Sequence, residues 1–285
     1  MSNRETLPAE ASARQSTPRI TLRISRDALS FAQADGSAPS GISFETFPVR
    51  SGVSIAANLR DAFTSCELLS RATPESRAQV LLDAPVMLVP IEEFRQHQAD
   101  LLFRHTFTGH EGDQVMWAAL PSFNVVALFA VNKDLRLVVE DHFADIRWSH
   151  VCLPVWTHLH RRSASGLRRR LFAYFHDRSM ELFSFQQHRF RYQNTFEQGH
   201  VADTVYFVLN VWKQLGFDQK ADELHLIGEI PQHDVLRDEL HQYVQNVYAV
   251  GVAADFNRDA VTRVEGFSYD LMAAFEGKRE VTSDK

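Results

Sequence analysis

The sequence predicts a mixed α/β fold built from two similar lobes in tandem, each with the order β-β-β-α-β-α. Trios of period-two apolar runs occur twice, over Ile20–Thr46 and Leu171–Phe196, and each is followed by a segment whose apolar residues step by three and four. At 285 residues the chain is long enough for about two average domains with cores of their own. The expected boundaries are a disordered lead-in over 1–19, a first lobe over 20–165 and a second over 166–285.

In the first lobe Ile20, Leu22 and Ile24 alternate, and Leu29 and Phe31 resume in the other phase after the polar break Ser25-Arg26-Asp27, which predicts a hairpin. A third strand carries Ile42, Phe44 and Thr46 on one face, after the turn-forming stretch Asp35 to Gly41. Ser54 is placed to cap a helix whose inward stripe is Ile55, Leu59, Ala62, Phe63 and Cys66. The run Val86-Met87-Leu88-Val89, ending at Pro90, predicts the fourth, buried strand, with a helix over 91–104 behind it. Val115 to Leu120 and Phe123 to Val131 read as an added hairpin. A short helix from Leu153 leads into a linker over Arg161 to Gly166.

The second lobe repeats the pattern. Leu171, Ala173 and Phe175 alternate up to the break at His176-Asp177-Arg178-Ser179. Met180 to Phe185 returns, and Phe190, Tyr192, Asn194 and Phe196 mark a third strand. Val201, Val205, Val208, Trp212 and Leu215 step as one helix face, with Gly216 as its terminating glycine. Leu224 to Ile227 predicts a short strand running into Gly228-Glu229-Ile230-Pro231, followed by a helix with Val235, Leu236, Leu240, Tyr243 and Val244 inward.

Composition narrows the function classes. Hydrophobic residues at 45% exclude a disordered chain, and 30 basic against 36 acidic residues leave no global field drawing it to nucleic acid or anionic lipid. Cys66 and Cys152 sit in apolar segments without CxxC spacing, as buried reduced thiols do. The polar N-terminus lacks a secretory apolar region, and the longest apolar run, Phe123 to Val131, is too short to span a bilayer. A cytoplasmic location is the expectation.

The segments LRISRDALSFA, APVMLVP, LFAYFHDRSMELFSFQQHRFRYQNTF and ELHLIGEIP, in this duplicated order, resemble a bacterial family of unknown function with the actin-like ATPase fold. That fold pairs two ribonuclease-H-like lobes across a nucleotide cleft, and the family is distantly similar to actin-like pilus-assembly and secretion proteins. The resemblance covers nearly the whole chain from Ile20. It implies an Asp-x-Gly loop on each lobe's first hairpin and a Gly-Gly pair near the last strand, where glycine lets backbone N–H groups approach phosphate and the carboxylates position metal-bound water. The first loop here reads Ser25-Arg26-Asp27-Ala28, with serine at the metal-side position and no glycine. The second places Tyr174 at the acidic position and His176 at the glycine. Gly228-Glu229 stands for the glycine pair, and Glu229 brings a charge that costs about 4 kcal/mol at about 4 Å from another like charge in an intermediate dielectric. ATP with Mg²⁺, the cofactor the resemblance implies, is therefore disfavoured, in a pocket expected to be shallow or filled by Tyr174, His176 and Glu229. Arg26 and Arg178, brought across the cleft, could hold an anion by side chains instead.

The candidate cleft or anion-binding residues are thus Arg26, Asp27, His176, Asp177, Arg178, Gly228 and Glu229, with no catalytic residue and no metal ligand assigned. Asp27 and Asp177 could be relocated metal carboxylates, although turn chemistry alone explains an Asp at each tip. His158 and His160, two apart on a helix, point to different faces, and His105 and His110 flank a loop without a ligand cluster. Arg161, Arg162, Arg168, Arg169 and Arg170 form a basic cluster that could meet phosphate or an acidic partner, or simply solvate an exposed linker. Ser163 and Ser165 lie in no nucleophile elbow, and P-loop, Rossmann and HExxH patterns are absent. The function expected is a catalytically degenerate binding or assembly module with a protein partner. The alternative is a divergent ATPase or phosphotransferase using Asp27 and Asp177, and a ribonuclease-H-like nuclease would need a carboxylate cluster that the first half does not show.

Overall fold

The computed structural model describes residues 18–70, 72–73, 75–163, 168–186, 189–257 and 259–283, so most of the 1–19 lead-in and the second half of the expected linker, with Ser165, lie outside the described residues. The first lobe opens with β1 (Ile20–Ile24), β2 (Ala28–Ala34) and β3 (Ile42–Pro48), then α1 (Ile55–Ser65), α2 (Glu67–Ser70) and β4 (Arg77–Leu82). The chain next makes β5 (Val86–Pro90), α3 (Ala99–Thr106), β6 (Gln114–Leu120) and β7 (Val125–Val131), and returns through α4 (Lys133–Glu140), β8 (Asp145–His150) and α5 (Cys152–Ser163). The second lobe is β9 (Arg170–His176), β10 (Ser179–Gln186), β11 (Arg189–Glu197), α6 (Val201–Gln214), β12 (Glu223–Gly228), α7 (His233–His241), β13 (Val247–Ala249), α8 (Val252–Asp255) and α9 (Tyr269–Ser283).

The two main sheets have one topology. The first runs β3-β2-β1-β4-β8 and the second β11-β10-β9-β12-β13, each antiparallel in its opening meander and parallel thereafter. The duplication is therefore real, and each main sheet has a fifth strand, β8 or β13, beyond the four expected. Those strands escape sequence reading because β13 is three residues long and β8 (DIRWSH) is an edge strand with only two apolar residues.

The apolar run at Val86 is not the fourth strand of the first lobe. It belongs to a separate three-stranded sheet, β5-β7-β6, with the added hairpin as its other two strands, and the lobe's own fourth strand is β4, RAQVLL. Gln79 breaks the apolar signal of β4, yet its pairing with β1 and β8 puts it inside the sheet, between two strands. The helix expected over 91–104 begins only at Ala99, after a turn and a short 3₁₀ segment. Ser54 caps α1 as its spacing predicted, accepting the Ala57 N–H, and Gly216 ends α6 at φ +64°.

Each lobe has its own core. Leu22, Phe31, Leu59 and Val80 pack in the first, and Phe175, Leu182, Val208 and Leu236 in the second. A third cluster spans the two, with Trp156 of α5, Phe172 and Phe183 of the second sheet, Ala32 and Leu81 of the first, and Leu271 and Phe275 of α9. Because α5 and α9 lie together between the sheets, the inner face of β1 is covered, and Thr21 and Arg23 are as buried as the apolar residues they alternate with.

Candidate functional site

The first hairpins of the two lobes meet tip to tip. The β9–β10 turn has Asp177 at φ +43° and Arg178 at φ +61°, the pair of left-handed residues that a two-residue hairpin of this twist needs and that Asn-Gly usually supplies. Arg178 reaches across to Asp27 at the β1–β2 tip through two parallel bonds, Nε to Oδ2 at 2.8 Å and Nη2 to Oδ1 at 2.5 Å. In return Arg23 donates to Asp177, and Arg26 Nη2 lies 3.3 Å from the Ser179 hydroxyl. Arg26 and Arg178 thus do cross the cleft, but what they grip is the opposite lobe.

Behind the tips the contacts are buried. Arg23 Nε donates to both Asp270 oxygens at 2.9 and 2.8 Å, and Asp270, at the start of α9, also accepts the Tyr174 hydroxyl at 3.2 Å and the Ser268 hydroxyl. Tyr174 stacks on His176, whose Nδ1 is 3.2 Å from Asp177 Oδ2 and whose Nε2 is 3.7 Å from the Cys152 thiol. Burial opposes charge on His176, but the Asp177 hydrogen bond and the Asp83 and Asp177 charges outweigh it and raise its pKa. Burial would raise the Asp177 carboxyl, but the His176 bond and the Arg23 charge hold it far below the usual carboxylate range. Asp83, just past β4, is raised by burial, only partly countered by the His176, Arg23 and Arg26 charges.

Gly228, at the end of β12, is indispensable for a reason other than phosphate. Its φ is +85°, and a Cβ there would stand 2.3 Å from the Phe175 carbonyl oxygen and 2.9 Å from the Tyr174 ring. Glu229 is exposed, tied to the site only by its backbone N–H donating to that same carbonyl, so it does not fill the cleft as expected; Tyr174 and His176 do.

Beside the tips, a cavity of about 430 Å³ lies between the first sheet and the three-stranded sheet. Ser25, Arg26 and Asp83 form its wall toward the clasp, and the first turns of α1 and α4 form another. His150 fixes the loop that carries Asp83. Its Nδ1 accepts the Cys152 N–H at 3.1 Å, so Nε2 bears the hydrogen that meets the Ala84 carbonyl at 2.7 Å. Burial pushes this imidazole down to about 4. The unfolded chain therefore takes up a proton between about pH 6.5 and 4 that the folded protein refuses, so this contribution is complete above pH 6.5 and is lost as the pH falls toward 4. Urea midpoints measured from neutral pH down to about pH 4.5 should show an acid-side loss of up to about 3 kcal/mol that His150→Gln largely removes. An equally steep fall in that variant would locate the titration elsewhere.

The arginines of the basic cluster pair within the chain. Arg161 and Arg162 lie on α5 and pair with Glu276 and Asp255, Arg169 pairs with Asp222, and Arg168 and Arg170 share Glu223. Each of the five thus has an acidic partner in the same chain, while Arg161, Arg162, Arg168 and Arg169 remain at least 40% exposed. His158, buried on α5, lies 2.8 Å from Asp255, whereas His160 rests against Phe123, so the two rings do face apart. His105 ends α3, and His110 pairs with Asp113. Cys66 and Cys152 are buried and free. Asp83, Arg23 and Asp270 are the site residues that sequence reading missed.

Residues 11–247 match the model of a family described as a protein of unknown function, DUF3822. The chain belongs to the DUF3822 family. A solved protein of Bacteroides thetaiotaomicron, described as having an actin-like ATPase fold and unknown function, is 26% identical, with 88% of this chain and 97% of that one aligned at a TM-score of 0.76. A structure of the PilM–PilN type IV pilus biogenesis complex aligns over 92% of this chain and 99% of its own at a TM-score of 0.61 and 13% identity. No curated protein matches. The fold of this DUF3822 chain is accordingly the actin-like ATPase fold, and among the described residues no helix is long and apolar enough to cross a membrane.

Proposed function

We propose that this chain is a cytoplasmic binding or assembly module on the actin-like fold, one that has exchanged nucleotide for a direct clasp between its lobes. The observation that carries the reading is the reciprocal pairing of the tips, Arg178 to Asp27 and Arg23 to Asp177. In the fold's ATP-dependent members those tips are loops around phosphate. Here serine and tyrosine stand where the resemblance places those loops' carboxylates, the tip carboxylates Asp27 and Asp177 are bonded to arginine, and the position where a Gly228 side chain would begin is filled by Phe175 and Tyr174. A triphosphate would have to break these contacts and approach loops without glycine. A protein partner is the natural ligand for a lobe pair held in one arrangement, and a fold neighbour solved as a complex with PilN supports that class of role.

Thermal-shift titration with Mg-ATP and an assay of phosphate release test the reading. The expected result is no saturable stabilisation up to about 1 mM nucleotide, since a ligand at a hundred times its Kd would add about 2.7 kcal/mol and be readily seen. Saturable stabilisation, or turnover lost in Asp27→Asn, would overturn it in favour of a divergent ATPase or phosphotransferase.

A further inference from the structure

We propose that Asp83, His176 and Asp177 form a binding site for one first-row divalent cation of the Zn²⁺ or Mn²⁺ kind, held directly by protein atoms across the lobe interface. One ligand atom from each of the three lies within 4.8 Å of the others, and among the described residues this is the one set of three or more His, Cys, Asp and Glu side chains so disposed. Bonds of about 2.0–2.1 Å in tetrahedral geometry put neighbouring ligand atoms about 3.3 Å apart. The 3.2 Å between His176 Nδ1 and Asp177 Oδ2 matches such an edge.

The surroundings support an ion as well. Arg23 donates to both Asp177 oxygens, including the Oδ2 that faces His176, and to Asp270, and so fixes the orientation of a ligand carboxylate, as outer partners of bound metals do. Its charge and that of Arg26 are set against three carboxylates, Asp83, Asp177 and Asp270. Asp83 faces the 430 Å³ cavity, which offers an entry path and room for a water or an exchangeable ligand to complete the coordination. One imidazole with two carboxylates suits Zn²⁺ or Mn²⁺, whereas Mg²⁺ favours an all-oxygen octahedron and keeps its water. Such an ion is distinct from Mg²⁺ carried in on phosphates. It would join the end of β4 in the first lobe to the hairpin of the second, and so lock the clasp whether or not nucleotide binds.

The test uses the full chain stripped with a chelator and dialysed free of it, with Zn²⁺ or Mn²⁺ added alone. Calorimetry, with electron paramagnetic resonance for Mn²⁺, should show one saturable equivalent, and the thermal midpoint should rise. Asp83→Asn removes a ligand at the cavity wall while leaving the Arg23 pairs in place, and it should weaken binding by about tenfold or more. Absence of a saturable equivalent for both ions in the unaltered chain overturns the proposal without recourse to any variant. Unchanged affinity in Asp83→Asn overturns it too, by placing the ion on other histidines. Since no nucleotide is present, neither outcome bears on the ATP titration.

Discussion

Gly228→Ala should destabilise the protein by about 3–5 kcal/mol, a large share of the 5–15 kcal/mol that holds a typical domain. Two effects add. An L-residue at φ +85° is strained by roughly 1–2 kcal/mol, and the new methyl meets the Phe175 carbonyl oxygen at 2.3 Å, with no flexible atom to move aside. Gly216→Ala separates them, because Gly216 has φ +64° and nothing within 4 Å of its would-be Cβ, so it should lose only the conformational part. Urea midpoints at unchanged m-value give both numbers. Equal losses for the two variants would mean that β12 and β9 are not packed as closely as described. The comparison also disqualifies a bulky residue at 228 as a probe of nucleotide binding, since such a variant would fail through folding alone.

Gly228 shows how far the sequence carries. Gly228 stands out in the sequence only through the resemblance, as half of a glycine pair near a nucleotide, whereas in the structure a tyrosine ring and a carbonyl oxygen are what leave no room for a side chain there. The hairpins and the lobe repeat were legible because period-two alternation is local, and so were the tips Asp27, Asp177 and Arg178. Arg23 was not. In ITLRI the residues between the isoleucines and leucine mark the face that an ordinary half-exposed strand turns to water, and only the second lobe, with α9, makes that face interior. Asp83 lies 93 residues before His176 and Asp270 lies 96 residues after Tyr174, so both become part of the site only through lobe packing, for which no local pattern exists. Val86–Pro90 carries a stronger apolar signal than β4, yet β4 is the strand inside the first sheet, because its pairing with β1 and β8 and not its apolar content sets its place.

The other large effect belongs to Arg23. Arg23→Met keeps the length and apolar stem of the side chain but leaves Asp177 and Asp270 buried without their cation, and breaking a buried pair from one side costs about 3–5 kcal/mol. The exposed pair at the tips is a contrasting case, because Arg178→Ala removes a bidentate contact whose partners are largely in water, worth about 1 kcal/mol or less. If the loss in Arg23→Met is that of stranded charge, Arg23→Met with Asp270→Asn should recover part of it, since the amide no longer needs a cation and can still bond the Tyr174 and Ser268 hydroxyls. Strict additivity of the two changes would sink the idea that Arg23 acts on Asp270, and a loss in Arg23→Met no larger than in Arg178→Ala would remove the buried half of the clasp altogether. The distinction matters for function because the exposed pair alone could yield to a competing anion at little expense. The Arg23 pairs, out of water and anchored to α9, add to the shared apolar core a polar hold on the tips that persists when nothing is bound between the lobes.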